Sequence, residues 1–470
     1  MLKKIILRIV AITMALQLLT LPVAPRAQAA PTAVTFTVNS TLDQPDDLTI
    51  PGTCHTAANT CTLRAAIMQA NRTTGLGATI LLPAGIYSLT IPFSGSGGED
   101  NGDLNLTAPA TGSPAITITG AGAGSTIIDA NQIDRVFHVH PYRVAAISDV
   151  TIRNGYYVPN VNAYGGGIYN EGSLIVNGAT ISANNTADLG GGIYNSSSGT
   201  LTVINSTIRQ NSADFAGGGI FNGGILDVLN STLSENTALR AGGGISNKGR
   251  TKVSKSAIYG NGSNNGGGIF TEIDTLYVIN STISQNYANN NGGGIYMRQY
   301  ALAALYNTSI IDNDADHDRD VNGGIGGGVY SEAGARFIVV NTLIAGNTVL
   351  NAPIYNDCSG ILEAYGFNLI FDETGCTFSG NGTASRGFIT LNTIGPLQDN
   401  GGPTWTHALL AGSAAIDTTI DSLGCVDETG ALLGADQRGA PRPAGARCDV
   451  GAFEYNPPTY SYVYLPVVER

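Results

Sequence analysis

The sequence predicts an all-β fold: a single-stranded, right-handed parallel β-helix of about 10–12 coils. It adds a capping helix in front and a small disulfide-bonded region behind. Three observations carry this. A Gly-Gly-Gly-Ile-aromatic-Asn-like segment occurs seven times, beginning at Gly165, Gly190, Gly217, Gly242, Gly266, Gly292 and Gly326. The steps of 25, 27, 25, 24, 26 and 34 residues are too short for a two-helix repeat. The unit is also rich in Val, Ile, Thr and Asn rather than in helix formers.

In chain order, residues 1–29 read as a secretory signal peptide. Lys3, Lys4 and Arg8 form a basic n-region, Ile5 to Leu21 supply an apolar core, and Ala27-Gln28-Ala29 offers a small-residue cleavage site. No later segment is long and apolar enough to span a bilayer as a helix. Export favours disulfides, and the six cysteines fall into local pairs: Cys54 with Cys61, Cys358 with Cys376, and Cys425 with Cys448. All three pairs lie outside the seven-repeat region, so they are expected to staple the ends rather than the solenoid itself. Loss of the leader removes Lys3, Lys4, Arg8 and Arg26, taking the formal charge from −12 to −16. So acidic a chain is a poor partner for nucleic acid or an anionic membrane.

Residues 30–77 read as an N-terminal cap. Leu63, Ala66, Ile67 and Ala70 have helical spacing within Thr62–Asn71. Such a helix, tied by Cys54 and Cys61, would cover the open strand edges at the front of a solenoid. The solenoid is assigned to residues 78–375. Before the regular repeats begin, strands are expected at Thr79–Leu89, Ala115–Gly120, Ser125–Asp129, Arg135–Val139 and Ile147–Asn154.

Within a repeat, a second unit of the form Asn-Ser-Thr-Ile-x-x-Asn follows an alternating strand. It closes at Asn184, Asn211, Asn236, Asn261, Asn286, Asn313 and Asn347. An Asn carries both a donor and an acceptor, so stacked copies about 4.8 Å apart can bond as a ladder. Asn177, Asn205, Asn230, Asn280, Asn307 and Asn341 end the preceding strand. The alternation of Leu201, Val203 and Asn205 predicts that this set also faces inward.

Six repeats place an aromatic after the Gly-Ile: Tyr169, Tyr194, Phe221, Phe270, Tyr296 and Tyr330, with Ser246 the exception. Facing outward, these rings are candidate glycan contacts; facing inward, they are an interior stack, and both readings stand at this stage. Asp312, Asp314, Asp316, Asp318 and Asp320 open the longest corner, 12 residues between Asn313 and Gly326. Carboxylates at every second position are candidate oxygen ligands for Ca²⁺, without the glycine and glutamate of an EF-hand. A solvated acidic loop is the plainer account. A second long corner runs from Gly155 to Tyr164. Lys248, Arg250, Lys252 and Lys255 concentrate on one coil, where cross-coil ion pairs compete with a role in base chemistry. His138 and His140 share a strand face and read as structural.

The repeats, with their Gly-Gly-Gly-Ile segments and Ile-x-x-Asn closers, resemble those of polymorphic outer-membrane-protein-like and other bacterial β-helix surface proteins. Residues 54–71 resemble the CSLREA-type module at the start of such proteins, with Thr62 and Ala65 where Ser and Glu are usual. Residues 395–454 resemble their choice-of-anchor Q region, within a C-terminal region assigned to 376–455 and followed by a tail, 456–470. The resemblance implies a secreted or cell-surface location and no particular reaction. The function expected is adhesive or glycan-contacting and non-catalytic. A polysaccharide lyase or glycoside hydrolase on the same scaffold, and a purely structural spacer, are the alternatives.

Overall fold

A computed structural model describes residues 33–73, 75, 77–95, 98–108, 114–157, 163–319, 323–349, 354–379, 389–419 and 424–457. The predicted signal peptide, Asp320 and most of the predicted tail lie outside the described residues. The described residues from Val34 onward constitute one compact unit.

The chain winds into a right-handed parallel β-solenoid. Each regular turn contributes four short strands. The turn that starts at Gly190 shows the plan: Ile193–Asn195 (sheet I), Thr200–Ile204 (sheet II), Thr207–Arg209 (sheet III) and Ser212–Ala213 at the closing corner. Sheets I and II are joined into one of 22 strands, because Cys358–Tyr365 runs from one into the other. Among the described residues sheet III has 11 strands and the corner sheet 9, one of them antiparallel, so the expected ten to twelve coils correspond to about nine turns, eight of which carry all four strands.

Register is maintained because like residues fill like positions. Ile168, Ile193, Ile220, Ile245, Ile269, Ile295 and Val329 form one fully buried column. Val176, Val203, Val228, Val253 and Val278 form a second, and Ile181, Ile208, Leu233, Ile258 and Ile283 a third. A one-residue slip would expel all three columns to solvent. Glycine is required at the entry to sheet I. Gly190 has φ +72°, and a Cβ on Gly191 or Gly192 would sit 2.6 Å from a carbonyl oxygen of the following turn.

Asn205, Asn230, Asn280, Asn307 and Asn341 do not point inward as the alternation predicted. They follow the sheet II strand at a corner, with φ between +46° and +50°, a region Asn tolerates better than other side chains do. Lys255 takes the same conformation, and in the first regular turn Gly178 does so. Asn177 is therefore one residue out of line, since it pairs with Ile204.

At the front, the helix spans Leu63–Asn71 and is buried along its whole length. Thr62 Oγ1 accepts from Ala65 N, the usual helix N-cap bond. Leu63, Ala66, Ile67 and Ala70 join the solenoid core. Arg64 is buried in an ion pair with Asp43 at 2.7 Å and also donates to Gly102 O at 2.8 Å.

All six cysteines are bonded in the expected pairs. Cys54 bonds Cys61, Cys358 bonds Cys376 and Cys425 bonds Cys448, with Cα atoms 5.1, 5.5 and 5.9 Å apart. Two of these bridges sit differently from the end staples expected. Cys61 is buried and belongs to the solenoid core itself, and its N donates to Asn39 Oδ1 at 2.8 Å. Cys376 does not open a separate C-terminal region. The strand Cys376–Ser379 pairs in parallel with Gly360–Glu363, and Cys358 in turn pairs with Val329 of the last Gly-Gly-Gly repeat. The Cys358 to Cys376 bridge therefore joins the last two levels of the solenoid, whose strands continue through Ser379 rather than ending at residue 375. The boundary was drawn early because the glycine-led repeat stops before the sheet does.

Beyond Ser379 the C-terminal region does more than follow the last turn; it folds back along the flank. Glu428 pairs with Lys252, Arg442 bonds Asn280 (2.6 Å), Asn307 donates to Val426 O (3.0 Å) and Gly451 N donates to Asn341 O (2.9 Å). Ile311, Leu343, Ala345 and Leu369 of the solenoid build a second apolar core there with Leu409, Val450 and Phe453.

Candidate functional site

The closing-corner asparagines bond in one direction. Asn184 Nδ2 donates to Asn211 Oδ1 at 2.9 Å, and the same bond repeats from Asn211 to Asn236, Asn261, Asn286, Asn313 and Asn347 at 2.8–2.9 Å. Each Oδ1 also accepts the backbone N–H of the preceding Asn, so every polar atom of a fully buried side chain is satisfied. A second column, Asn170–Asn195–Asn222–Asn247, runs behind sheet I with the same polarity, at 2.7–3.1 Å.

The first column ends on a carboxylate. Asp357 Oδ1 accepts from Asn347 N and Nδ2, and its Oδ2 accepts from Phe371 N and Asp372 N at 3.0 and 2.9 Å. Burial pushes this carboxyl up to about 7, against four N–H donors that favour its charged form. Only an acceptor-only group fits all four. Asp357→Asn must turn an NH₂ toward two N–H donors, and a loss of about 2 kcal/mol in urea unfolding is expected. A variant as stable as the parent would remove the acceptor argument.

The sheet I aromatics lie on the outer side, since the preceding Ile fills the core. Their faces are largely taken by one another: Tyr194 stacks on Phe221 at 5.2 Å, Phe270 on Tyr296 at 5.0 Å, and Tyr296 meets Tyr330 at 4.9 Å. Tyr164, from the second long corner, stacks on Tyr194 at 4.4 Å. Phe221 and Phe270 are buried, whereas Tyr169, Tyr194, Tyr296 and Tyr330 are half-buried. What this row offers outward is ring edges and hydroxyls. Burial pushes the Tyr194 phenol up to about 12, and those of Tyr169 and Tyr296 upward as well, so all three stay neutral donors.

At its front end the row runs into a dense polar cluster. Asn105, His138 and Tyr169 are neighbours in register across three strands. His138 stacks on Tyr169 at 4.5 Å and on His140 at 3.8 Å, and its Nε2 lies 2.8 Å from Glu171 Oε2. Arg135 pairs with Asp103 at 2.6 Å and lies 5.3 Å from the Tyr169 ring centre. Burial, with Asp103 beside it, raises Asp134 to about 6, and burial lowers His140 to about 4. The sequence pattern presents the two histidines as structural; Asn105 and Asp103 lie before the regular repeats, in turns too irregular to align by eye, and Glu171 lies in the first repeat, across a strand boundary from them.

The acidic corner is spread out. Asp312 takes φ +57° and is exposed, Asp314 points outward, Asp318 is exposed and Asp316 is fully buried. Both Asp316 oxygens lack a hydrogen-bond partner. Among the described residues these four do not gather three ligand atoms at one point; His138, His140 and Glu171 do. Two of the four basic groups on the basic coil are ion-paired: Lys248 with Glu272 at 3.1 Å, and Lys252 with Glu428 rather than with its neighbour Asp227.

No family model matches the chain, and no curated protein matches it. Among solved structures it is similar to one titled "Crystal structure of pectate lyase Pel9A". The identity is 15%, over 90% of this chain and 98% of that one, with a TM-score of 0.48.

Proposed function

We propose that the chain is an exported, non-catalytic surface or extracellular protein whose sheet I face contacts glycan. One observation carries this reading: Tyr164, Tyr169 and Tyr194 form a continuous row of ring edges flanked by Glu171 and Arg135. With the ring faces used internally, contact with a sugar polymer goes through hydroxyl and charge hydrogen bonds rather than face stacking. The pairing of all six cysteines supports an oxidising compartment, as do the signal-like leader and the resemblance of residues 54–71 and 395–454 to modules of secreted proteins. The ion-paired lysines give a lyase reading little support, because a catalytic base must be free to take a proton.

Calcium belongs to this proposal as a stiffening ion at the acidic corner, supported by the two unpartnered Asp316 oxygens. A polysaccharide panel, with and without Ca²⁺, tests both parts. Retention of at least one polysaccharide is expected, falling about tenfold or more in Tyr169→Ala/Tyr194→Ala. Equal retention by that variant would reject the face, and new unsaturated or reducing ends would establish catalysis instead. Ca²⁺ should raise the melting midpoint of the parent and leave that of Asp316→Asn unmoved, since a ligand specific to the folded form must stabilise it. A parent indifferent to Ca²⁺ and EDTA would eliminate the ion.

A further inference from the structure

We infer that His138, His140 and Glu171 form a binding site for a borderline divalent transition metal such as Zn²⁺. This rests on no part of the glycan reading. The strand Phe137–Val139 carries His138 outward, and His140, two residues on, returns to the same side. Glu171 follows the neighbouring strand Ile168–Asn170, which pairs in parallel with Phe137–Val139. The three side chains are half-buried, and one ligand atom from each lies within 4.8 Å of the other two. Around a tetrahedral ion with bonds near 2.0–2.1 Å, ligand atoms are roughly 3.3 Å apart. The His138 Nε2 to Glu171 Oε2 separation of 2.8 Å therefore opens by only about half an ångström to admit the ion, while the His140 ring, stacked on His138 at 3.8 Å, turns to bring its lone pair onto it.

The surroundings set the ring chemistry. Asn105 Nδ2 donates to Asp103 Oδ1 at 2.8 Å, which fixes Asn105 Oδ1 as the atom that faces His140. An amide oxygen can only accept, so His140 Nε2 carries the proton in the 2.6 Å contact. In the neutral ring this leaves Nδ1 with the lone pair. A histidine whose second nitrogen donates to an amide or carbonyl oxygen is held as metal-ligating histidines are. The Tyr169 ring packed on His138 limits its rotation. Two imidazoles and one carboxylate suit Zn²⁺, Co²⁺, Ni²⁺ or Cu²⁺, and disfavour Ca²⁺ and Mg²⁺, which take oxygen ligands. Three protein ligands leave a fourth position on the solvent side for water or an oxygen-bearing ligand.

The test is titration of the full chain with Co²⁺, followed by displacement with Zn²⁺. One equivalent of Co²⁺ should give the visible absorption of a low-coordinate N/O site, abolished by Zn²⁺ and untouched by excess Ca²⁺. Affinity should fall at least tenfold in Glu171→Gln and vanish in His138→Ala/His140→Ala. Zn²⁺ should raise the melting midpoint of the parent but not of that double variant. If the double variant fails to fold, His140→Gln replaces it, because its side-chain amide can keep the bond to Asn105; its affinity should fall at least tenfold. Unchanged Co²⁺ binding in these variants, or competition by Ca²⁺, would overturn the assignment.

Discussion

Asn236→Ala should cost about 3–5 kcal/mol of unfolding free energy, more than any exposed substitution in the solenoid. Its side chain is fully buried and holds four contacts. Nδ2 donates to Asn261 Oδ1 and Ile208 O at 2.9 Å each, while Oδ1 accepts from Asn211 N and Nδ2 at 3.1 and 2.9 Å. Alanine strands those partners in a dry corner, at about 1–3 kcal/mol each, reduced where water can enter. Asn205 is the internal control. It is exposed, takes φ +49°, and its side chain makes only long bonds, to Asn177 at 3.3 Å and Asn230 at 3.4 Å. Asn205→Gly should stay within about 0.5 kcal/mol of the parent, because Gly accepts the corner conformation. Urea unfolding of both variants decides the matter. Equal losses at the two positions would show that the ladder contributes nothing beyond the corner.

Arg64→Met is expected to lower stability by about 3–5 kcal/mol and to release the front cap to protease. The Arg64 and Asp43 side chains are 0% and 2% exposed. Methionine keeps the stem volume but leaves the Asp43 charge with only the N–H groups of Thr90 and Ile91, at 2.8 and 3.1 Å, and leaves Gly102 O without its donor. The helix packs on the strands Ala78–Leu82 and Leu104–Leu106, so its loosening exposes the first turn of the core. Adding Asp43→Asn should recover part of the loss, since removing both charges is cheaper than removing one. Limited proteolysis near residues 50–75 and urea unfolding report the two halves of this expectation. If the single variant proves as stable as the parent, the pair does not hold the cap.

The architecture was legible because repetition converts one ambiguous strand into seven aligned ones, and the Ile and Val columns leave a single register that buries them all. Resolution was lost wherever that periodicity stops. The two asparagine sets look alike in sequence, and it is the positive φ of Asn205 and its counterparts that separates them from the closing-corner set. Asp357 was missed as the terminus of the ladder because it stands ten residues beyond Asn347, outside the repeat spacing. Cys376 was placed beyond the solenoid for the same reason, since its strand carries no glycine run to mark it as one more level. The flank position of the C-terminal region rests on partners more than 100 residues apart, such as Lys252 with Glu428, which no local pattern announces. The His138–Glu171 cluster depends on the Asn105, His138 and Tyr169 strands being neighbours, and those early turns differ too much in length to align.

The head-to-tail amide column also bears on how such a molecule can change size. A whole turn inserted or deleted between Asn184 and Asn236, ahead of the turns that the C-terminal region covers, reproduces the same donor-to-acceptor junction at the seam. The front helix and the Asp357 terminus need never alter. Length is therefore a quantity that gain or loss of single repeats can adjust in steps, each moving the far end by about one strand spacing. A fractional turn has no such freedom, because at the seam it would move the Asn out of line and leave its buried donor and acceptor without partners.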